Sequence, residues 1–255
     1  MRKDKSLQKD NSRNKDNGIH KDKSLQEKNG DKSEIQNEFH PEGIPYRFLK
    51  WVIVRLFPPI FRMLYGWRVV GRIPEEVMKR GCVTVCNHIH TLDCVMLACA
   101  FRNHTMQFLS LRENLHMPVA GALVRLLGGI GLPEKLDGWK AVYRRVEKAF
   151  EEGQFLQVYP EGELISGCRT LREFKPGAFS FAVKYGRPVV PCLLRYYPRG
   201  GALGSKKGRK RCDGLELVVL EPVFVPEGAK GRRAAQLLEE TVRRRMEEAL
   251  KTTAE

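Results

Sequence analysis

The chain has 255 residues, 42% of them hydrophobic, and a formal net charge of +15, enough for one sizeable domain with a real core plus a tail. The first 40 residues hold ten Lys/Arg against eight Asp/Glu, a net +2, so +13 belongs to the remainder; a body that basic implies an anionic partner, whether nucleic acid, an anionic membrane surface or acidic substrates and carriers. Seven irregularly spaced cysteines argue against a disulfide framework and for a reducing compartment, while the polar N-terminus and the lack of any run near ~20 apolar residues argue against a signal peptide and an ordinary integral membrane protein.

Residues 1–40 are Lys, Asp, Asn, Ser and Gln with little to bury, and they are expected to be a disordered polar tail. Lys-Asp-Lys-Ser-Leu-Gln occurs at 3–8 and again at 21–26, as a duplicated low-complexity segment does. Residues 41–66 change character: Phe48, Trp51, Phe57, Phe61 and Tyr65 are interrupted by Arg47, Lys50, Arg55 and Arg62, with Pro58-Pro59 in the middle. Two short cationic amphipathic helices are predicted, suited to a bilayer interface with aromatics buried and cations near lipid phosphates. A helix packed on the core, its charges snorkelling, is the alternative.

Val83-Thr84-Val85-Cys86 reads as the end of a buried strand, the chain breaks at Asn87-His88, and Leu92 to Ala98 resumes as a helix. A histidine at such a junction, with a carboxylate five residues on, can form a charge-oriented base. Asp93 would hold the imidazole of His88 in one tautomer and leave the other nitrogen free to take a proton from a hydroxyl. The same residues also fit a helix cap and a first-turn acid.

Met106 to Ser110 is predicted as a strand, Met117 to Leu127 as a helix, and Gly128-Gly129 as a turn. Residues 138–152 place Ala141, Val142, Val146, Ala149 and Phe150 on one helical face, with Gly153 as the stop. Phe155 to Tyr159 is a strand running into Pro160-Glu161-Gly162-Glu163; a helix follows Phe174-Lys175-Pro176-Gly177; Val189 to Leu194 and Leu215 to Leu220 are strands. A basic loop covers 199–212, and the last helix runs from about Arg232 to Leu250. Strands alternating with helices predict an α/β fold, a largely parallel twisted sheet flanked by helices.

Three stretches in this order resemble the glycerolipid acyltransferase family, best known for 1-acylglycerol-3-phosphate acyltransferases. Asn87-His88-Ile89-His90-Thr91-Leu92-Asp93 matches its Asn-His-x-x-x-x-Asp signature, Tyr159-Pro160-Glu161-Gly162 is similar to its Phe-Pro-Glu-Gly block, and Pro188-Val189-Val190-Pro191 to its Val-Pro-Val-x-Pro strand. Phe174-Lys175-Pro176-Gly177-Ala178 is similar to its Phe-Lys-x-Gly-Ala step. The resemblance covers Arg68 to Leu220 and implies acyl transfer from a thioester to a glycerol-type hydroxyl. His88 would be the general base, Asp93 would orient it, and Asn87, Glu161 and Gly162 would help shape the acceptor site, with no acyl-enzyme.

The chain departs from the family's pattern where the acceptor phosphate is usually bound. The arginine expected after the Gly128 block is Glu134, followed by Lys135, and the family's Thr-Arg-Ser after Pro-Glu-Gly is Glu163-Leu164-Ile165. A phosphate favours a forked guanidinium, so Lys135, Arg169, Arg172 and Lys175 are the candidate replacements. Otherwise the acceptor carries no phosphate monoester.

Two rival readings arise from the residues. Cys82, Cys86, His88, His90 and Cys94 suggest zinc, but lack the paired spacing of structural sites. Lys206, Lys207, Arg209, Lys210 and Arg211 suggest nucleic acid, but no recognition motif accompanies them. The expectation is therefore an acyltransferase-like domain at 67–255 behind an interfacial segment, acting on a lysolipid acceptor, lysophosphatidic acid first. It would use a coenzyme A or acyl-carrier-protein thioester as co-substrate, with no cofactor, no metal and no nucleic acid. It would sit peripherally or monotopically on the cytoplasmic face of the cell membrane. The alternatives are a phosphate-free acceptor, or a basic membrane- or nucleic-acid-binding protein without catalysis.

Overall fold

The computed structural model describes residues 44–198 and 213–252. The predicted polar tail and the basic loop at 199–212 lie outside the described residues. Within them, a seven-stranded sheet has the order β1-β7-β6-β2-β5-β3-β4. The strands are β1 (Arg68–Val70), β2 (Val83–Cys86), β3 (Met106–Leu111), β4 (Gly129–Leu132), β5 (Phe155–Val158), β6 (Val189–Tyr197) and β7 (Gly214–Val219).

Strand β2 is central and runs parallel to both β5 and β6, Val83 pairing with Leu156 on one side and Val189 on the other. Strand β3 is parallel to β5 and β4 to β3. Strand β7 is antiparallel to β6, and β1, parallel to β7, shares its reversed direction at that edge. The carboxyl ends of β2 to β6 therefore share one sheet edge, where open α/β sheets bind ligands.

The pleat sorts the core into two layers. Cys82 and Cys86 point to the face covered by α1 (Ile44–Tyr65), α2 (Glu75–Arg80), α3 (Asp93–Ala100) and α5 (Ala120–Leu126). Val83 and Val85 point to the face covered by α6 (Trp139–Glu151), α7 (Gly177–Tyr185) and α8 (Gly231–Lys251). The stripes at Val142, Val146, Ala149 and Phe150 and at Ala235, Leu238, Val242 and Met246 are buried as their spacing requires.

Three local expectations are corrected. The segment predicted as two helices is one, α1, with Pro58 and Pro59 inside it. Each proline deprives a carbonyl one turn back of its N–H, which costs about 3 kcal/mol in an isolated helix. Burial of Ile53, Val54 and Phe61, with Phe61 against Phe57 and Trp67, offsets that loss. The helix predicted at Met117–Leu127 begins only at Ala120, as α5, and a separate short helix, α4 (Arg112–His116), precedes it, Met117 between them being held extended by the following Pro118. Of the predicted turn at Gly128-Gly129, Gly128 is a turn residue with φ +103°, while Gly129 already opens β4. A Cβ on Gly129 would meet Leu115 Cδ2 at 2.9 Å and one on Gly131 would meet Leu115 Cδ1 at 3.2 Å, so these glycines let α4 lie against the strand.

Candidate active site

The loop from Asn87 to Leu92 leaves the carboxyl end of β2 and turns into α3, whose first residue is Asp93. Asp93 is only 1% exposed. One of its oxygens, Oδ2, lies 2.5 Å from His88 Nδ1. The other, Oδ1, accepts a 2.8 Å hydrogen bond from the Tyr159 hydroxyl. A carboxylate accepts, so the geometry assigns the proton to His88 Nδ1 and leaves Nε2 with a lone pair. The imidazole stacks on the Tyr159 ring, centroids 4.0 Å apart and planes 14° apart, and remains partly open to solvent. Helix α3 has no side-chain cap, so the capping alternative for His88 does not hold.

The neighbouring strand braces this loop. Glu161, past the end of β5, is buried, and its Oε2 accepts the His88 backbone N–H at 3.1 Å. Oε2 also accepts from Arg172 Nη2 at 2.7 Å, while Oε1 accepts the Arg172 backbone N–H at 3.1 Å. Further along the same segment, the Ile165 N–H donates to the His88 carbonyl and the Gly167 N–H to the Ile89 carbonyl. On the opposite side the Tyr65 ring meets the His90 ring edge-on at 5.0 Å, which brings the end of α1 beside the loop.

The residues expected to contact substrate divide into two groups. Asn87 is 3% exposed and spends its amide on the main chain of Leu194, Nδ2 donating to the carbonyl and Oδ1 accepting the N–H, each at 2.8 Å. It straps β2 to β6 rather than presenting a free group. Glu161 likewise faces inward, and Arg172 is held by Glu161 and Glu163. Arg169 is paired with Asp213, stacks on Tyr196 at 4.8 Å, and lines a cavity of about 260 Å³ with Asn87, Thr170 and Tyr196.

Lys175 is placed differently. Gly162 adopts φ +79°, and a Cβ there would fall 2.5 Å from Lys175 Nζ, so the lysine stem crosses the glycine. Lys175 is exposed and forms no ion pair among the described residues. Lys135 follows β4, three strands from β2, or about 14 Å across the sheet at the usual strand spacing. The geometry thus brings Lys175 to the turn at residues 160–162 after β5 and leaves Lys135 at the sheet's edge.

Burial explains the thiols of this region. It pushes Cys192 up to about 12, and it raises Cys86 and Cys94 as well, the Asp93 charge adding to the effect. These cysteines are protonated core residues with little nucleophilic character. Among the described residues no group of three His, Cys, Asp or Glu side chains is placed to hold a metal ion, and His90 Nδ1 accepts the Leu92 N–H.

The residue that sequence reasoning passed over is Tyr159. Its signal was a hydroxyl standing where the resembling motif has phenylalanine. Burial, then the Asp93 charge, hold its phenol well above the ordinary tyrosine range, so it stays a donor.

Comparison with known proteins is consistent with this geometry. The profile of the family described as Acyltransferase matches residues 68–195. A Mycoplasma pneumoniae protein named probable 1-acyl-sn-glycerol-3-phosphate acyltransferase is 29% identical over 178 residues, 67% of this chain and 63% of its own length. Human 1-acyl-sn-glycerol-3-phosphate acyltransferase beta is 30% identical over 145 residues, 55% of this chain and 51% of its own. The chain thus spans between about half and two thirds of these curated relatives. The crystal structure of the 1-acyl-sn-glycerophosphate (LPA) acyltransferase PlsC from Thermotoga maritima superposes with a TM-score of 0.53 at 25% identity, covering 80% of this chain and 81% of that one.

Proposed function

The chain belongs to the acyltransferase family, and from that premise we propose that it moves a fatty acyl group from a thioester to the free hydroxyl of a lysophospholipid, with lysophosphatidic acid as acceptor and phosphatidic acid as product. His88 Nε2 takes the hydroxyl proton as the acceptor oxygen attacks the thioester carbonyl. Asp93 stabilises the imidazolium that forms. The tetrahedral intermediate collapses, the carbon–sulfur bond breaks, and the departing thiolate recovers the proton from His88, leaving an ester and a free thiol. The observation that carries this reading is the 2.5 Å His88–Asp93 contact at the carboxyl end of β2. No protein nucleophile is needed, which agrees with the protonated state of the buried thiols.

The acceptor's phosphate is held by Lys175, the cation beside Gly162 without a carboxylate partner among the described residues. The protein works on a membrane surface at the cytoplasmic face. Helix α1 supports this with two apolar faces: Ile53, Val54 and Phe61 pack inward, while Trp51, Leu56 and Met63 are 53%, 55% and 72% exposed, flanked by exposed Arg55 and Arg62. Among the described residues no helix is long and apolar enough to cross a membrane. The reading is tested by mass spectrometry of products from lysophosphatidic acid, or a phosphate-free lysolipid, supplied with acyl-coenzyme A or acyl-carrier protein. His88→Ala is expected to remove transfer, a loss of about 10²–10⁴-fold for a general base, and Asp93→Asn most of it. A folded His88→Ala protein with near-normal turnover would refute the assignment.

A further inference from the structure

We propose that Tyr159 is the positioning residue of the His88–Asp93 pair: its hydroxyl holds the Asp93 carboxylate so that Oδ2 faces the imidazole, and its ring fixes the imidazole plane. The inference rests on the acyl-transfer reading and deepens it.

A buried carboxylate at the first turn of α3 has two oxygens and a freely rotating terminal bond. Only one orientation presents an oxygen squarely to His88 Nδ1. Here each oxygen has one partner, His88 at 2.5 Å on Oδ2 and the Tyr159 hydroxyl at 2.8 Å on Oδ1. Tyr159 follows β5, the strand hydrogen-bonded to β2, so the donor and the base ride on adjacent rungs of one sheet. The ring stack at 4.0 Å limits rotation of the imidazole about its own Cβ–Cγ bond. Phenylalanine at this position would keep the stack and remove the donor, leaving Oδ1 in a site with 1% exposure and no other recorded partner among the described residues.

The test is Tyr159→Phe in the full chain, assayed with lysophosphatidic acid and an acyl thioester beside wild type. The kcat is expected to fall about tenfold and both KM values to stay within about twofold. A tyrosine that merely fills space would lower the unfolding temperature and leave kcat where it was, and an unmoved kcat overturns the proposal. A readout independent of turnover separates this from the acyl-transfer reading. The low-field Nδ1 proton of His88, assigned by its loss in His88→Ala, should be sharp in wild type and exchange-broadened in Tyr159→Phe. If wild type transfers no acyl group, the functional reading fails, and this proton still decides on Tyr159, a sharp resonance in the variant overturning its role.

Discussion

Replacing Glu161 by Gln changes one atom and one charge, and it separates a brace from a substrate ligand. In the folded protein the carboxylate receives three N–H groups, from the His88 main chain, the Arg172 main chain and the Arg172 guanidinium. A glutamine can accept with its single oxygen, so its NH₂ must face at least one of those donors. Losing one hydrogen bond to a charged group removes about 1.5–3 kcal/mol, and the remaining Arg172 charge is largely shielded from water. A total near 3 kcal/mol is expected, within the ~3–5 kcal/mol found when one partner of a buried pair is deleted. For a domain of this size that lowers the unfolding temperature by about 6–12 °C. Because the His88 main chain loses its anchor, kcat should fall roughly 10–100-fold, the scale of an ångström-sized misplacement. Calorimetry and steady-state kinetics on the same preparation measure both. An unchanged unfolding temperature with a selectively raised acceptor KM would show instead that Glu161 serves the substrate, and the bracing argument would be wrong.

On α1, Trp51→Glu with Leu56→Glu should abolish pelleting with anionic vesicles and spare thermal stability, since both side chains are exposed. Phe61→Ala, on the buried face, should do the opposite and cost about 3–5 kcal/mol; vesicle binding that survives the double substitution would assign α1 to core packing alone. Lys50 is not part of that surface, being half-buried and pulled below its ordinary pKa by burial, so reversing Arg47, Arg55 and Arg62 is enough to reveal the salt-dependent share of binding. Lys175→Ala should raise the KM for lysophosphatidic acid about tenfold or more while leaving the donor KM unchanged, as loss of an acceptor contact requires. Equal effects with a phosphate-free lysolipid would place the phosphate elsewhere.

The order of strands and helices, the two apolar stripes on α6 and α8, and the His88–Asp93 pair were legible in the chain, because each depends on residues within a few positions of one another. Periods of two and of three to four residues report which face is buried. The junction at Asn87-His88 shows in the break of one period and the start of another. Where local rules conflicted, reading the sequence alone went astray. Pro58-Pro59 signals a break, yet the burial of Phe61 and its neighbours carries α1 through it. Gly129 reads with Gly128 as a turn, yet it is a strand residue whose missing side chain makes room for Leu115.

The tertiary structure alone decided what each polar group near the site does. Asn87 meets Leu194 across 107 positions, His88 meets Glu161 across 73, and Tyr159 meets Asp93 across 66. These partnerships come from the strand order β6-β2-β5, which sets the carboxyl ends of three distant segments side by side. A motif tells which residue types stand ready for chemistry, since their protonation and shape are intrinsic. Whether a buried carboxylate or amide is free for substrate depends on which donors the sheet brings within 3 Å of it, as it does for Glu161 and Asn87, and desolvation leaves none of those bonds optional.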